Sequence, residues 1–265
     1  MIGPEMKKRI GGDLYRLLAA ATVVLFHGTA VLLSFYLCFF QGDFLKQEVF
    51  RYGVDKKLGI SEEELGRVVE EMMTWLKAPS GDLQVEVTVD QKVVSFFRER
   101  DLLHLADIAG MVHWGRNACA VLCFLTITGV FFLLRKGRKK TLGKIYLFSW
   151  GFLLLAAIGI GLWLLVDLVG FIDTFHRIFF RNGLWILNPA TDMLIWLFPE
   201  QIFRDGAVRL GIALAAVHTL AVGFAVWALA AKKTKEKAKG NKHRPSVNSV
   251  SILGNGLDRG EDRKI

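Results

Sequence analysis

Residues 145–166 read IYLFSWGFLLLAAIGIGLWLLV, 22 residues without a charge. A helix rises about 1.5 Å per residue, so this run can cross a hydrocarbon core of roughly 30 Å. Leu17–Phe40 and Leu210–Ala231 have the same character. A fourth run, Ala118–Leu134, has 17 residues, and Met111–Gly115 in front of it can lengthen the helix. The chain is 265 residues long and 52% hydrophobic, and its apolar residues are gathered into these runs rather than spread as a globular core needs. The first run is longer than the roughly 7–15-residue core of a signal peptide. Polar Gln41-Gly42-Asp43 follows it with no small-residue cleavage site, so it reads as a retained helix.

Basic residues give the orientation. Lys7, Lys8, Arg9 and Arg16 precede the first run, six Lys/Arg lie from Arg135 to Lys144, and seven from Lys232 to Arg244. Residues 41–116 carry 10 Lys/Arg against 14 Asp/Glu, and residues 167–208 carry 3 against 5. An excess of Lys/Arg in short loops marks the cytoplasmic side. The expected layout is therefore a cytoplasmic N-terminus at 1–16, transmembrane helices at 17–40, 118–134, 145–166 and 209–231, and a cytoplasmic basic loop at 135–144. Residues 41–117 and 167–208 face outward, and a basic, disordered cytoplasmic tail covers 232–265. The net charge of +9 then reports topology, with anionic membrane lipids as its counterpart and no call for nucleic acid. Cys38, Cys119 and Cys123 all fall in apolar runs, so the outer segments hold no disulfide framework.

The fold class that follows is an integral membrane protein, mainly α: a four-transmembrane-helix bundle with a small α/β extracellular cap. In the cap, Ser61-Glu62-Glu63-Glu64 has capping-box spacing, and Leu65, Val68, Val69, Met72, Met73 and Leu76 follow at helical spacing until Ala78-Pro79. Leu83–Val89 alternates as a strand, Asp90-Gln91-Lys92 reads as a turn, and Val93–Phe97 can pair back. From Arg98 to Ile108 nothing breaks a helix, which should lead into the second transmembrane helix. The other outer segment, Asp167–Asp205, is rich in aromatics yet carries Asp173, His176, Arg177, Arg181, Asn182, Asp192 and Glu200. Pro189 and Pro199 prevent it from being one helix, and the mixture suits a surface between lipid and water.

Of six histidines, His27 and His218 lie inside apolar runs and read as interhelical hydrogen-bonding groups. His104-x-x-Asp107 and Asp173-x-x-His176 pair an imidazole with a carboxylate at helical spacing, one in each outer segment. A carboxylate on one ring nitrogen raises the basicity of the other, which suits a general base. The same spacing is equally read as two solvated pairs at an interface. Two His and two Asp could also ligate a metal, although no H-E-x-x-H is present, and no G-x-S-x-G offers a serine nucleophile.

At these residues the sequence resembles a known family. Glu99-Arg100-Asp101-Leu102-Leu103-His104-Leu105-Ala106-Asp107-Ile108 and Phe175-His176-Arg177-Ile178-Phe179-Phe180-Arg181-Asn182 are similar to signatures of the lipoprotein intramolecular transacylases (Lit) of Gram-positive bacteria. Trp185-Ile186-Leu187-Asn188-Pro189-Ala190-Thr191-Asp192 continues the likeness, which runs from Leu17 to Ala231. Asn188 stands where the family favours Asp, and Asp101 where it favours Glu. The resemblance implies a membrane acyltransferase that moves the sn-2 acyl chain of a lipoprotein's S-diacylglyceryl-cysteine to the α-amine of the same cysteine. The product would be the lyso-form lipoprotein.

The partners so implied are a diacylated lipoprotein and membrane lipids, with no cofactor and no metal. The resemblance makes His104 and His176 catalytic. Glu99, Arg100, Asp107, Asp173, Arg181, Asn182, Trp185 and Asp192 are then orienting or substrate-binding, with Asp107 expected on His104 and Asp173 on His176. Trp185, Phe179, Phe180 and Trp196 are expected to shape an acyl-chain groove or to anchor the loop. The competing readings are a metal-dependent membrane hydrolase or protease using the same histidines, and a non-enzymatic membrane protein whose cap binds a partner.

Overall fold

Every apolar run forms the C-terminal part of a helix that starts before it. In the computed structural model, which describes residues 3–230, these helices are α1 (Pro4–Phe40), α5 (Glu99–Arg135), α6 (Lys139–Val166) and α8 (Glu200–Ala230). All four are long and apolar enough to cross a membrane. Their outer faces expose Phe124, Ile127, Phe148, Leu155, Leu165 and Val166. A belt of that kind is stable against lipid and unfavourable against water. The chain is thus a multi-pass membrane protein. The expected tail at 232–265 lies outside the described residues.

All four helices begin earlier than the apolar runs indicate, and α6 starts at Lys139, inside the loop expected at 135–144. α1 starts at Pro4, which needs no intrahelical N–H donor in the first turn. α8 starts at Glu200, directly after Pro199, so residues 200–208 belong to the helix and not to the loop expected there. α5 is the opposite of short. Its 37 residues extend about 55 Å, so nearly half of it, at the N-terminal end, projects beyond a 30 Å core. Gly110 and Gly115 do not interrupt it. His104 therefore stands on a rigid helical extension rather than on a loop.

At the end of the bundle away from the cap, Ala19, Val23, Leu133, Leu142, Tyr146 and Ala225 pack α1, α5, α6 and α8 together. Small residues permit the close approach: a Cβ on Gly143 would lie 3.1 Å from the Ala225 carbonyl oxygen. Midway along, His27 Nδ1 meets His218 Nε2 at 3.2 Å, and His27 Nε2 meets Ser149 Oγ at 2.9 Å. Since His218 Nδ1 faces the Leu214 carbonyl at 2.9 Å, that nitrogen carries the proton. His27 Nδ1–H then donates to His218, and the Ser149 hydroxyl lies 2.9 Å from both His27 Nε2 and the Tyr146 carbonyl oxygen. The two histidines join three helices, as their placement in apolar runs suggested.

The cap comprises α2 (Phe44–Arg51), α3 (Val54–Leu58), α4 (Glu62–Lys77) and an antiparallel hairpin of β1 (Glu86–Val89) and β2 (Lys92–Ser95). Both halves of the Ser61/Glu64 capping box form, at 3.2 and 3.0 Å. The hairpin loop is two residues, Asp90 and Gln91, both with positive φ (49° and 63°). That turn suits strand twist, and it makes Lys92 the first residue of β2 rather than part of the turn. Leu83 and Val85 precede β1 without belonging to it, yet they keep its inward alternation and are buried. α2 and α3 have no strong sequence signal. They are short, and Gly53 and Gly59 bound α3 in left-handed conformations. Val49, Val54, Leu65, Val68, Met72 and Phe96 bury their side chains in one core with Leu105 of α5. The cap thereby braces the projecting part of α5.

Candidate active site at the junction of the two outer segments

α7 (Leu168–Phe179) begins with Asp167 as its N-cap, whose carboxylate accepts from the Gly170 N–H at 2.8 Å. His176 and Arg177 fall in its last turn, where a helix dipole favours cations. The chain then turns back through Phe180–Asp192 to a 3-10 turn at Met193–Leu197 and into α8. This path carries His176 to α5. The rings of His104 and His176 lie 6.0 Å apart between centroids. Phe180 contacts both, edge-on to His104 at 5.0 Å and stacked on His176 at 5.6 Å, and Trp185 stacks on His176 at 5.0 Å.

The expected carboxylate partners do not hold these imidazoles. Asp173 pairs with Arg177 at 2.8 Å, a favourable contact one helical turn along, while His176 Nδ1 faces the Ile172 carbonyl oxygen at 2.7 Å. A carbonyl only accepts, so His176 carries a proton on Nδ1, which leaves Nε2 to face a substrate. Asp107 accepts instead from the Asn182 side-chain amide at 2.8 Å. His104 is 5% exposed, and its Nδ1 has no hydrogen-bond partner among the described residues.

The remaining candidates fall into three groups. Arg100 and Asn182 tie the segments together: the Arg100 guanidinium donates to the Gly183 carbonyl oxygen, alongside the Asn182–Asp107 bond. Asp192 is structural. It is 5% exposed, accepting from the Asn188 N–H at 2.7 Å and from the Thr191 hydroxyl at 2.9 Å. The Asn188 N–H, then the Thr191 hydroxyl and the charges of Arg100 and Arg98, hold its carboxyl below the usual range. Glu99 and Arg181 are exposed and make no side-chain hydrogen bond among the described residues. Trp196 donates to the Pro189 carbonyl oxygen at 3.0 Å, bracing the loop.

Beside the histidines, a groove of about 470 Å³ runs between Asp107, Met111, Trp114, Phe179, Phe180 and Arg181. Polar Asp107, Arg181 and Asn182 share its lining with aromatic Trp114, Phe179 and Phe180, a mixture that suits an amphiphile, and Phe180 contacts both imidazoles. A groove of similar size, about 480 Å³, lies on the cap between Lys46, Phe50, Glu64 and Glu70, away from both histidines. Among the described residues no three His, Cys, Asp or Glu side chains are grouped as metal ligands. Sequence reasoning passed over Asp101, which is 0% exposed beneath the site and three residues from His104. The signal was there, since carboxylates flank His104 at both −3 and +3, but only burial separates them.

The profile of the family described as lipoprotein intramolecular transacylase Lit matches residues 20–203, which include both histidine segments. This chain belongs to the Lit family. It is accordingly an enzyme of lipoprotein intramolecular transacylation. No curated protein sequence matches it significantly. Among solved structures it is similar to Lit from Bacillus cereus, with a TM-score of 0.62 at 14% identity over 86% of this chain and 97% of that one. Two variants of the same protein, with one histidine replaced by arginine or by alanine, give TM-scores of 0.70 and 0.68 at 14% identity. They cover 88% and 86% of this chain and 100% and 99% of theirs. At that identity the likeness is one of fold: the four-helix Lit bundle with its small cap.

Proposed function

We propose that His104 and His176 are the acid/base pair of the transfer. The acyl chain would move from the sn-2 oxygen of an S-diacylglyceryl-cysteine to the α-amine of that cysteine. What carries this reading is the meeting of the two imidazoles at 6.0 Å, from separate outer segments and beside an amphiphilic groove. An α-ammonium has a pKa near 8, so a free amine is accessible near neutral pH. As its nitrogen attacks the ester carbonyl, His104 Nε2 takes a proton from it. The tetrahedral intermediate then collapses, the carbonyl–oxygen bond breaks, and His176 gives a proton to the departing glycerol oxygen. One amide and one hydroxyl replace one amine and one ester. The proton gained by His104 returns to His176 through solvent.

His176 suits the acid role because it is half-exposed at the end of α7, with its Nδ1–H fixed on the Ile172 carbonyl oxygen and its Nε2 left to face the substrate. Donor and acceptor belong to one molecule, so holding them in contact supplies a large effective molarity. No acyl-enzyme is needed. Glu99 and Arg181, exposed beside the site, are assigned to the ester and amine; Trp185, Phe179 and Phe180 to the acyl chain. The excess of Lys/Arg before α1, in the 135–144 loop and after residue 231 supports cytoplasmic termini and a site at the outer membrane surface, where lipoprotein cysteines lie. The test is fragmentation mass spectrometry of a diacylated lipoprotein peptide after incubation with the purified protein. Transfer within a molecule leaves the mass unchanged, so the expected result is fragments with one acyl group on nitrogen and one chain on glycerol. A free fatty acid with no N-acyl fragment would overturn the reading in favour of hydrolysis.

A further inference from the structure

We infer that Asp101 is the positioning residue of His104, its carboxylate accepting the Nδ1 proton and leaving Nε2 as the base. The inference rests on the reading of His104 proposed above. Among the described residues, two buried side-chain polar atoms lack a hydrogen-bond partner, and they are Asp101 Oδ1 and His104 Nδ1. They lie three residues apart on α5, so their Cβ atoms are about 5–6 Å apart on one face. Helical side chains lean toward the N-terminus, which tips the His104 ring over the turn that holds Asp101. One orphan accepts and the other can donate. Buried polar groups are rarely left unpaired, and a rotamer adjustment lets these two satisfy each other.

The rest of Asp101 is already fixed. Its Oδ2 accepts from the Arg98 N–H at 3.0 Å, closing the first turn of α5. The second oxygen is thus free, held in place, and 0% exposed. Asp107, three residues on the other side, is half-exposed and gives one oxygen to the Asn182 amide, whereas Asp101 is fully buried with an unpartnered oxygen. The arrangement places a carboxylate behind the imidazole and the reacting nitrogen in front, the order that general-base histidines use. The other titratable groups around the pair are His176 from α7, Arg98, Arg100 and Asp107 on or beside α5, and Asp192 from the loop.

Asp101→Asn tests this with little change of shape. Its amide oxygen can still accept from Arg98, so the helix start is kept. Its NH2 then faces His104 Nδ1 as a donor, which forces the proton onto Nε2 and removes the base. With full-length protein in proteoliposomes, the expected result is a loss of about 100-fold or more in kcat, the scale of a lost acid/base group. KM and melting temperature should stay close to wild type. The acid limb of the kcat/KM profile should move to lower pH, because the carboxylate that favoured the imidazolium is gone. Asp101→Glu restores a carboxylate and should recover much of the rate. The inference is overturned if Asp101→Asn keeps wild-type kcat, or if kcat and melting temperature fall together in both variants. An active His104→Ala protein would instead remove the reading on which it rests, whatever Asp101→Asn does.

Discussion

Truncating Arg100 to alanine should slow acyl transfer without unfolding the protein. Arg100 stands on the rigid projecting part of α5, and its guanidinium donates to the Gly183 carbonyl oxygen in the segment that follows His176. The Asn182–Asp107 bond is the second tie between the same two pieces of chain. A hydrogen bond from a charged donor is worth about 1.5–3 kcal/mol, and both ties are exposed, so about 1 kcal/mol each is a fair allowance. One kcal/mol changes a population by roughly fivefold, since about 1.4 kcal/mol is tenfold. If the docked segment is what sets His176 against His104, Arg100→Ala should cut kcat by about fivefold. The double variant Arg100→Ala/Asn182→Ala should cut it by about thirtyfold. Initial rates of N-acyl peptide, read by fragment ions, measure this directly. Wild-type kcat in the double variant, with normal insertion and melting temperature, would refute the reasoning.

Three further outcomes can be checked. Leu105 is 0% exposed in the core shared by α5 and the cap, so Leu105→Ala should cost about 2–5 kcal/mol, read as a lowered melting temperature. His218→Leu removes the bond to His27 across α1 and α8. By the measured scale of membrane hydrogen bonds it should destabilise the bundle by about 0.6 kcal/mol, and by no more than about 2, in a reversible detergent unfolding assay. Hydrogen bonds from the Ser61 backbone, the Ser61 hydroxyl and the Thr88 backbone lower the Glu64 carboxyl from 4.5 to about 2. A depressed acid stabilises fully above its unfolded pKa and loses that contribution as pH falls through the folded one. Protection of the α4 amides should therefore weaken between about pH 4.5 and 2, and Glu64→Gln should abolish that dependence.

The four helices, the cap and the α4 start were legible because each has a local cause: uncharged length, charge asymmetry, or a capping box. The ends of α1 and α8 were not, since polar residues such as Lys7–Arg16 and Glu200–Asp205 continue a helix as readily as they end it. Only Pro4 and Pro199 mark those starts. The hairpin turn was read as three residues where the structure has two, because Lys92 pairs with Val89 and register is set by pairing. At the site, the two histidines were legible as a pair of motifs, but spacing could not say that α7 brings them to 6.0 Å. Nor could it choose among flanking carboxylates. Asp173 is drawn to Arg177 and Asp107 to Asn182, contacts that depend on neighbours from the fold. Asp101 was overlooked because its importance lies in burial, which a single exposed-looking motif does not reveal.

The central claim is that His104 and His176 together perform the transfer. The direct measurement is the rate of N-acyl product from His104→Gln and His176→Gln proteins, each confirmed to be folded and membrane-inserted. Glutamine keeps a polar side chain but cannot cycle a proton. Each variant should lose about 100- to 10,000-fold in kcat, and the double variant should be little slower than the worse single one, because the two act as a unit. Product formed at close to the wild-type rate by either single variant would contradict the account.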